Sequence, residues 1–144
     1  MTQTAEQGIM MEAIDRHEAL ISDFKEAGLK PLTKAVDMIC RCFDRGGCLY
    51  VCGNGGSAAD AQHVAGELVG RFYRNRKALP CVALTTDTSV ISAVANDFSF
   101  DDVFVRQVEA LVKPGDVLWA FSTSGASRNV IKAVELAKIG RAHV

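Results

Sequence analysis

The chain has 144 residues, 49% of them hydrophobic, which suits a single domain with its own core. Sixteen basic and seventeen acidic residues leave a formal charge of −1, so charge gives no case for nucleic acid or an acidic membrane surface as partner. No apolar run approaches the roughly 20 residues that span a bilayer.

The N-terminal stretch MTQTAEQGIMMEAIDRHEAL carries acids at intervals and lacks a basic segment followed by an apolar one. It therefore reads as no signal peptide, and the cytoplasm is the expected compartment. Residues 6–27 place Ile9, Met10, Ala13, Ile14, Leu20, Ile21 and Phe24 at helical spacing, which predicts an amphipathic helix punctuated by Gly28 and Pro31. A second helix is predicted over 32–44, with Val36, Ile39, Cys40 and Phe43 on one face, stopped by Gly46 and Gly47.

The pattern then changes to short apolar runs. Cys48-Leu49-Tyr50-Val51-Cys52 reads as a strand buried on both faces, followed by the loop Gly53-Asn54-Gly55-Gly56-Ser57 and a helix over 58–69. Residues 79–84 predict a second strand, opening into Thr85-Thr86-Asp87-Thr88-Ser89, with helices expected over 89–95 and 104–112. Pro114-Gly115 turns the chain into a third strand over 116–121. The loop Ser122-Thr123-Ser124-Gly125-Ala126-Ser127 and a helix over 129–138 follow. Three repeats of strand, loop and helix predict an α/β fold with a parallel sheet flanked by helices, and ligands in such sheets gather at the carboxyl ends of the strands. With three prolines, no repeat and no low-complexity run, no internal linker is expected.

Five cysteines (Cys40, Cys42, Cys48, Cys52, Cys81) form no CxxC pair, and four sit among apolar neighbours. They read as reduced, mostly buried thiols rather than a metal knuckle.

Gly53 to Ala58 matches the relaxed dinucleotide fingerprint G-x-G-x-x-A. A nicotinamide site also needs an acid to hold a ribose, and Asp87 comes late for that role. Two other readings stay open: a tight turn that needs glycine, and bare amides at a helix start, with Asn54 offering an amide to sugar hydroxyls. In residues 122–127, one serine would serve as an ordinary helix cap. Four hydroxyls in six residues at a helix start favour a phosphate site built from Ser122, Thr123, Ser124 and Ser127. His63 and Glu67, four apart on the helix after the glycine loop, are either a solvated pair or two donors to a shared divalent metal.

The run Cys52-Gly53-Asn54-Gly55-Gly56-Ser57-Ala58-Ala59-Asp60-Ala61-Gln62-His63, continuing through Glu67-Leu68-Val69-Gly70-Arg71-Phe72, resembles the signature of phosphoheptose isomerases in the sugar isomerase (SIS) superfamily. Residues 84–89, Ala95-Asn96-Asp97, residues 106–111 and Ser122-Thr123-Ser124-Gly125 are similar to the same family in the same order. The resemblance runs from about residue 10 to Lys138. It implies a SIS-type parallel sheet preceded by an N-terminal helix pair that builds a tetrameric core. The implied reaction interconverts sedoheptulose 7-phosphate and D-glycero-D-manno-heptose 7-phosphate through an enediol, for bacterial heptose and lipopolysaccharide synthesis. Residue by residue, it implies that Asn54, Gly55, Gly56, Asn96 and Asp97 contact the sugar and that Ser122, Thr123, Ser124 and Ser127 hold the phosphate. It further implies zinc on His63 and Glu67, with Glu67 also the catalytic acid/base, and Arg71 as an auxiliary polar group.

There are departures from the family. Ala126 stands where the family usually has asparagine, and the family's final strands and helix, with a glutamine, a second histidine and the remaining zinc ligands, are expected to be missing. Residues 1–138 then form a partial SIS domain. Residues 139–144, which a common sequencing adapter also encodes, read as a non-native read-through tail whose His143 is not the second histidine. The 144-residue chain by itself is accordingly expected to be a poor enzyme. Two rival readings are a non-catalytic SIS protein of the DnaA-associating type, which the His63–Glu67 pair disfavours, and a nicotinamide-dependent oxidoreductase, which the hydroxyl loop disfavours.

Overall fold

Thr4 opens the first helix, α1 (Ala5–Ala27), with a reciprocal capping box. Its hydroxyl accepts from the Gln7 amide at 3.3 Å, and the Gln7 side-chain oxygen accepts from the Thr4 amide at 3.0 Å. The computed structural model describes residues 4–140 and 142–144, in two compact units, Met1–Asp37 and Met38–Val144. Met1, Thr2, Gln3 and Arg141, which belong to the two segments predicted from sequence, lie outside the described residues.

In the first unit α1 buries none of its residues and leaves Ile9, Met10, Ile14, Leu20, Ile21 and Phe24 exposed. Gly28 interrupts less than expected. It keeps helical dihedrals, donates to Phe24 O at 2.7 Å and accepts from the Leu32 amide at 3.1 Å. The second helix, α2 (Leu29–Asp44), therefore starts three residues before its predicted boundary. Pro31 falls in its first turn, where an amide would have no helical partner.

The second unit carries three parallel strands, β1 (Leu49–Cys52), β2 (Cys81–Ala83) and β3 (Val117–Ala120), in the order β2-β1-β3. Leu49 pairs with Cys81 on one side and Val117 on the other. The predicted strand over 79–84 is shorter at its start because Pro80 has no amide to give the ladder and only its carbonyl bonds, accepting from Leu49 at 3.0 Å. The helices are α3 (Gly56–Val69), α4 (Thr88–Asp97), α5 (Val105–Leu111) and α6 (Arg128–Ile139), with a 3-10 turn at Phe100–Asp102.

Strand alternation divides the core. Leu49, Val51, Cys81, Ala83 and Val117 meet Ala61, Val64 and Leu68 of α3 together with Cys42 and Phe43 at the end of α2. Cys52, Leu84 and Leu118 meet Val103, Phe104 and Val108, with Val130, Ala133 and Ala137 of α6. Leu49, Leu84 and Leu118 are fully buried, each contributing about 1.5–3 kcal/mol by transfer from water. Buried Asp116 links the turn before β3 to the start of β1, its carboxylate accepting from the Lys113 and Cys48 amides at 2.8 Å each.

Beside β3 the tail adds a single parallel bridge between Val117 and His143, with His143 N donating to Asp116 O at 2.9 Å and Leu118 N to His143 O at 2.8 Å. All five cysteines are free: Cys42, Cys52 and Cys81 buried, Cys48 partly buried and Cys40 exposed on α2. Among the described residues no helix is long and apolar enough to cross a membrane.

Candidate active site

The connection from β1 to β2 runs through α3 on one face of the sheet, whereas the connection from β2 to β3 crosses β1 on the other face. The two crossovers diverge between β1 and β3. This is the topological switch point of the sheet, the place where ligands of such folds gather, and the glycine and hydroxyl loops leave the carboxyl ends of β1 and β3 there.

The glycine loop fits there because Gly53 has no side chain. A Cβ at Gly53 would lie 2.8 Å from Ser57 Cβ, 2.9 Å from Ser57 O and 3.0 Å from Phe121 O. The Phe121 amide carries the β1–β3 ladder one bond further, donating to Cys52 O at 2.8 Å, so the two loops leave the sheet side by side. Gly55 takes φ +56°, ψ −121°, a conformation that side-chain-bearing residues rarely adopt, and Gly56 begins α3.

The hydroxyl loop folds on itself. Ser122 Oγ accepts from the Gly125 amide at 3.1 Å and donates to Ser127 Oγ at 3.3 Å, while Ser124 Oγ accepts from the Ala126 amide at 3.2 Å. Thr123 and Ser124 are exposed and Ser127 partly buried. Ser127 is the N-cap of α6, yet its hydroxyl makes no capping bond. The Val130 amide is instead satisfied by the Asn129 side chain at 2.9 Å. Ser127 Oγ is thus left facing the start of a three-turn helix, where amides and the helix dipole favour an anion.

His63 and Glu67 lie one turn apart on α3, with Nε2 and Oε1 separated by 3.6 Å; the histidine side chain is 73% exposed and the glutamate 35%. An imidazole and a carboxylate converging this way suit a divalent metal as two donors of the three or four such a site uses. Among the described residues no third His, Cys, Asp or Glu joins them in a metal-holding group. Arg76 braces the end of α3, donating to Glu67 O at 2.9 Å and Leu68 O at 2.8 Å.

Asn96 and Asp97 occupy the last turn of α4 rather than a loop. Both are exposed, and the Asn96 amide donates to the Asp97 carboxylate at 2.8 Å. Arg71 is exposed just beyond α3. Asp87, the acid that a dinucleotide would need for its ribose, caps α4 by accepting from the Val90 amide at 2.9 Å.

Two site residues escape sequence reasoning. Asn129, 2% exposed, bonds reciprocally with Asn54, each Nδ2 donating to the other's Oδ1 at 2.9 Å. Its only sequence signal is a polar residue on the apolar stripe of α6 formed by Val130, Ala133 and Ala137. Thr85 lines a pocket of about 130 Å³ with Gly53, Asn54, Gly55, Ile91 and Phe104, and its buried hydroxyl has no hydrogen-bond partner among the described residues.

The SIS domain family model matches residues 14–144. The phosphoheptose isomerase of Synechocystis sp. is 52% identical over 123 residues, covering 85% of this chain and 63% of the relative. That of Campylobacter jejuni serotype O:6 is 56% identical over 107 residues, covering 74% and 58%. The chain thus spans about three-fifths of the length of these relatives. Among solved structures, the phosphoheptose isomerase of Neisseria gonorrhoeae superimposes with a TM-score of 0.82 at 42% identity, covering 94% of this chain and 72% of that one. The Francisella tularensis enzyme gives 0.74 at 33% identity, covering 90% and 72%. Fold, loop sequences and these likenesses agree: the chain belongs to the phosphoheptose isomerase family of SIS-domain proteins.

Proposed function

We propose that the protein isomerises sedoheptulose 7-phosphate to D-glycero-D-manno-heptose 7-phosphate in the cytoplasm, supplying bacterial heptose for lipopolysaccharide. What supports this is the pairing of a glycine loop and a hydroxyl-rich helix start at one switch point of the sheet, in a chain whose relatives are named phosphoheptose isomerases. Phosphate sits at the start of α6, held by amides and by Ser122, Thr123, Ser124 and Ser127. The sugar chain lies along Asn54, Gly55 and Gly56, with Asn96 and Asp97 as further contacts.

Glu67 is the acid/base. Its carboxylate takes a proton from C1 while the C2 carbonyl oxygen gains one, giving the enediol. Return of a proton to C2 and loss of the O1 proton leaves the aldehyde at C1. The phosphate anchor holds the reacting carbons in place with binding energy remote from them. His63 and Glu67 are the donors this chain offers to zinc, which when bound polarises a sugar oxygen. The protein assembles as a homotetramer, consistent with α1 leaving Ile14, Ile21 and Phe24 exposed on a helix that buries nothing of its own.

The test is an isomerase assay on the protein expressed from its gene, with zinc saturating. Glu67→Gln keeps the size of the side chain and removes the base. Turnover should fall by about 10²–10⁴-fold with little change in binding. Exchange of deuterium at the sugar carbon beside the carbonyl at the parent rate in Glu67→Gln would remove Glu67 as the base.

A further inference from the structure

The phosphate end and the sugar end of the site are carried by separate loops, each leaving a different strand. A ligand that bridges them is bound well only if the loops keep a fixed separation. Backbone ladder bonds end at Phe121 N–Cys52 O, below the level of either loop. Above that point one side-chain link joins the glycine loop to α6, the reciprocal amide pair of Asn54 and Asn129 at 2.9 Å in each direction.

Asn129 makes this link from inside the fold. It is 2% exposed, so it offers no surface to a ligand. Its Oδ1 accepts from the Val130 amide as well as from Asn54, and by doing so it fills the capping role that Ser127 leaves undone. One buried amide therefore closes the first turn of α6, leaves Ser127 Oγ available to an anion and pins Asn54. Asn54 has its oxygen and one amide proton engaged in the pair, which makes it a latch for the glycine loop.

We propose that Asn129 is a positioning residue. It locks the glycine loop to the start of α6, so that the two loops hold a set span and select phosphosugars whose reacting carbons lie at that distance from the phosphate. The inference rests on the phosphosugar reading of the two loops, but the lock can be tested without any ligand.

Hydrogen exchange on the 144-residue chain tests it directly, comparing Asn54→Ala, Asn129→Ala, the double variant and Asn129→Asp. Each alanine variant should speed exchange of the amides in residues 53–58 by about 10-fold while β1 and β3 keep their protection. The double variant should be no faster than either single one. Asn129→Asp keeps an acceptor for Val130 and Asn54 and should recover part of the protection. Asn54→Ala leaves the cap of α6 intact, so it reports on the lock even if Asn129→Ala folds poorly. Unchanged loop exchange in Asn54→Ala, or additive effects in the double variant, overturns the lock.

Calorimetry then addresses the span. Asn129→Ala, which breaks the lock but leaves the proposed sugar contact Asn54 in the chain, should leave affinity for inorganic phosphate within about 2-fold and lower affinity for sedoheptulose 7-phosphate by about 10-fold or more. Equal losses for both ligands would reduce Asn129 to a helix cap and refute the span. If the parent chain binds neither ligand, the phosphosugar reading fails and the span with it, while the exchange data still decide the lock.

Discussion

Gly53→Ala tests the geometry that brings the two loops together. The added Cβ would sit 2.8 Å from Ser57 Cβ, 2.9 Å from Ser57 O and 3.0 Å from Phe121 O. Carbon contacts are comfortable from about 3.5 Å, so each of these is short by roughly half an ångström or more. Two of the three atoms are backbone oxygens, one in α3 and one following β3, and neither can rotate aside. Overpacking of this kind costs about 1–3 kcal/mol, and the lower entropy of the unfolded alanine chain returns about 0.4–1 kcal/mol, for a net loss of about 1.3 kcal/mol at the midpoints. The neighbouring glycines provide internal controls. Gly56→Ala adds a methyl to open space in the first turn of α3 and should stabilise by about 0.4–1 kcal/mol. Gly55→Ala also meets open space, but φ +56° with ψ −121° should cost about 1–3 kcal/mol through backbone strain alone. Urea unfolding of the three variants, compared at a common m-value, reads the ranking. Gly53→Ala as stable as the parent, or all three variants shifting alike, would refute close approach as the reason for Gly53.

Ser124→Ala should weaken phosphosugar binding by about 1.5–3 kcal/mol if it removes a charge-assisted hydrogen bond; calorimetry showing unchanged affinity would move the phosphate elsewhere. Iodoacetamide should modify exposed Cys40 first. Cys52 and Cys81, whose thiols burial pushes up to about 12, should react only on unfolding, and peptide mass spectrometry showing Cys52 modified as fast as Cys40 would contradict this. The Ser99 hydroxyl and then Lys132 hold the Asp102 carboxyl below its usual range. A lowered folded-state value gives stability that is present above the unfolded carboxylate range and is lost as pH falls through the folded one. Asp102→Asn should therefore flatten the acid limb of the stability curve below about pH 4, and an unchanged limb would count against the pairing.

What was legible in the sequence was local. The apolar run at β1 is readable because a central parallel strand is buried on both faces, and all six helices announce themselves by spacing and punctuation. Errors fall where a neighbour in the fold decides. Gly28 carries a break signal, yet its backbone stays helical and the ladder crosses it. Pro80 trims β2 because only its carbonyl can join β1. The loops of the site are legible for the same local reason, since glycines and serines cluster after strands. Asn129 is not, because its partner Asn54 is 75 residues away and an asparagine in the first turn of a helix has many ordinary uses. Asp116 escapes likewise: one of its two amide partners, Cys48, is 68 residues distant.

In the proposed reading, the phosphate end of the site works without a lysine. The two cations in the first turns of α6 are engaged: Arg128 pairs with Asp101 at 3.1 Å and Lys132 with Asp102 at 2.9 Å, both acids belonging to the 3-10 turn. These pairs draw positive charge toward the flank of α6 and tie its outer face to the turn beside the pocket that Phe100 helps to line. In that reading, recognition at the helix start falls to dipoles of fixed direction, the free amides of the first turn and the serine hydroxyls. Dipoles attract an anion less strongly at long range than a point charge does, but they fix its orientation more closely. For the proposed isomerisation, which moves a proton between adjacent carbons far from the phosphate, orientation is the more useful property. An anchor that let the phosphate swivel would sweep C1 and C2 past Glu67, the proposed base, whereas one built from convergent N–H and O–H groups on a capped helix would hold them within its reach.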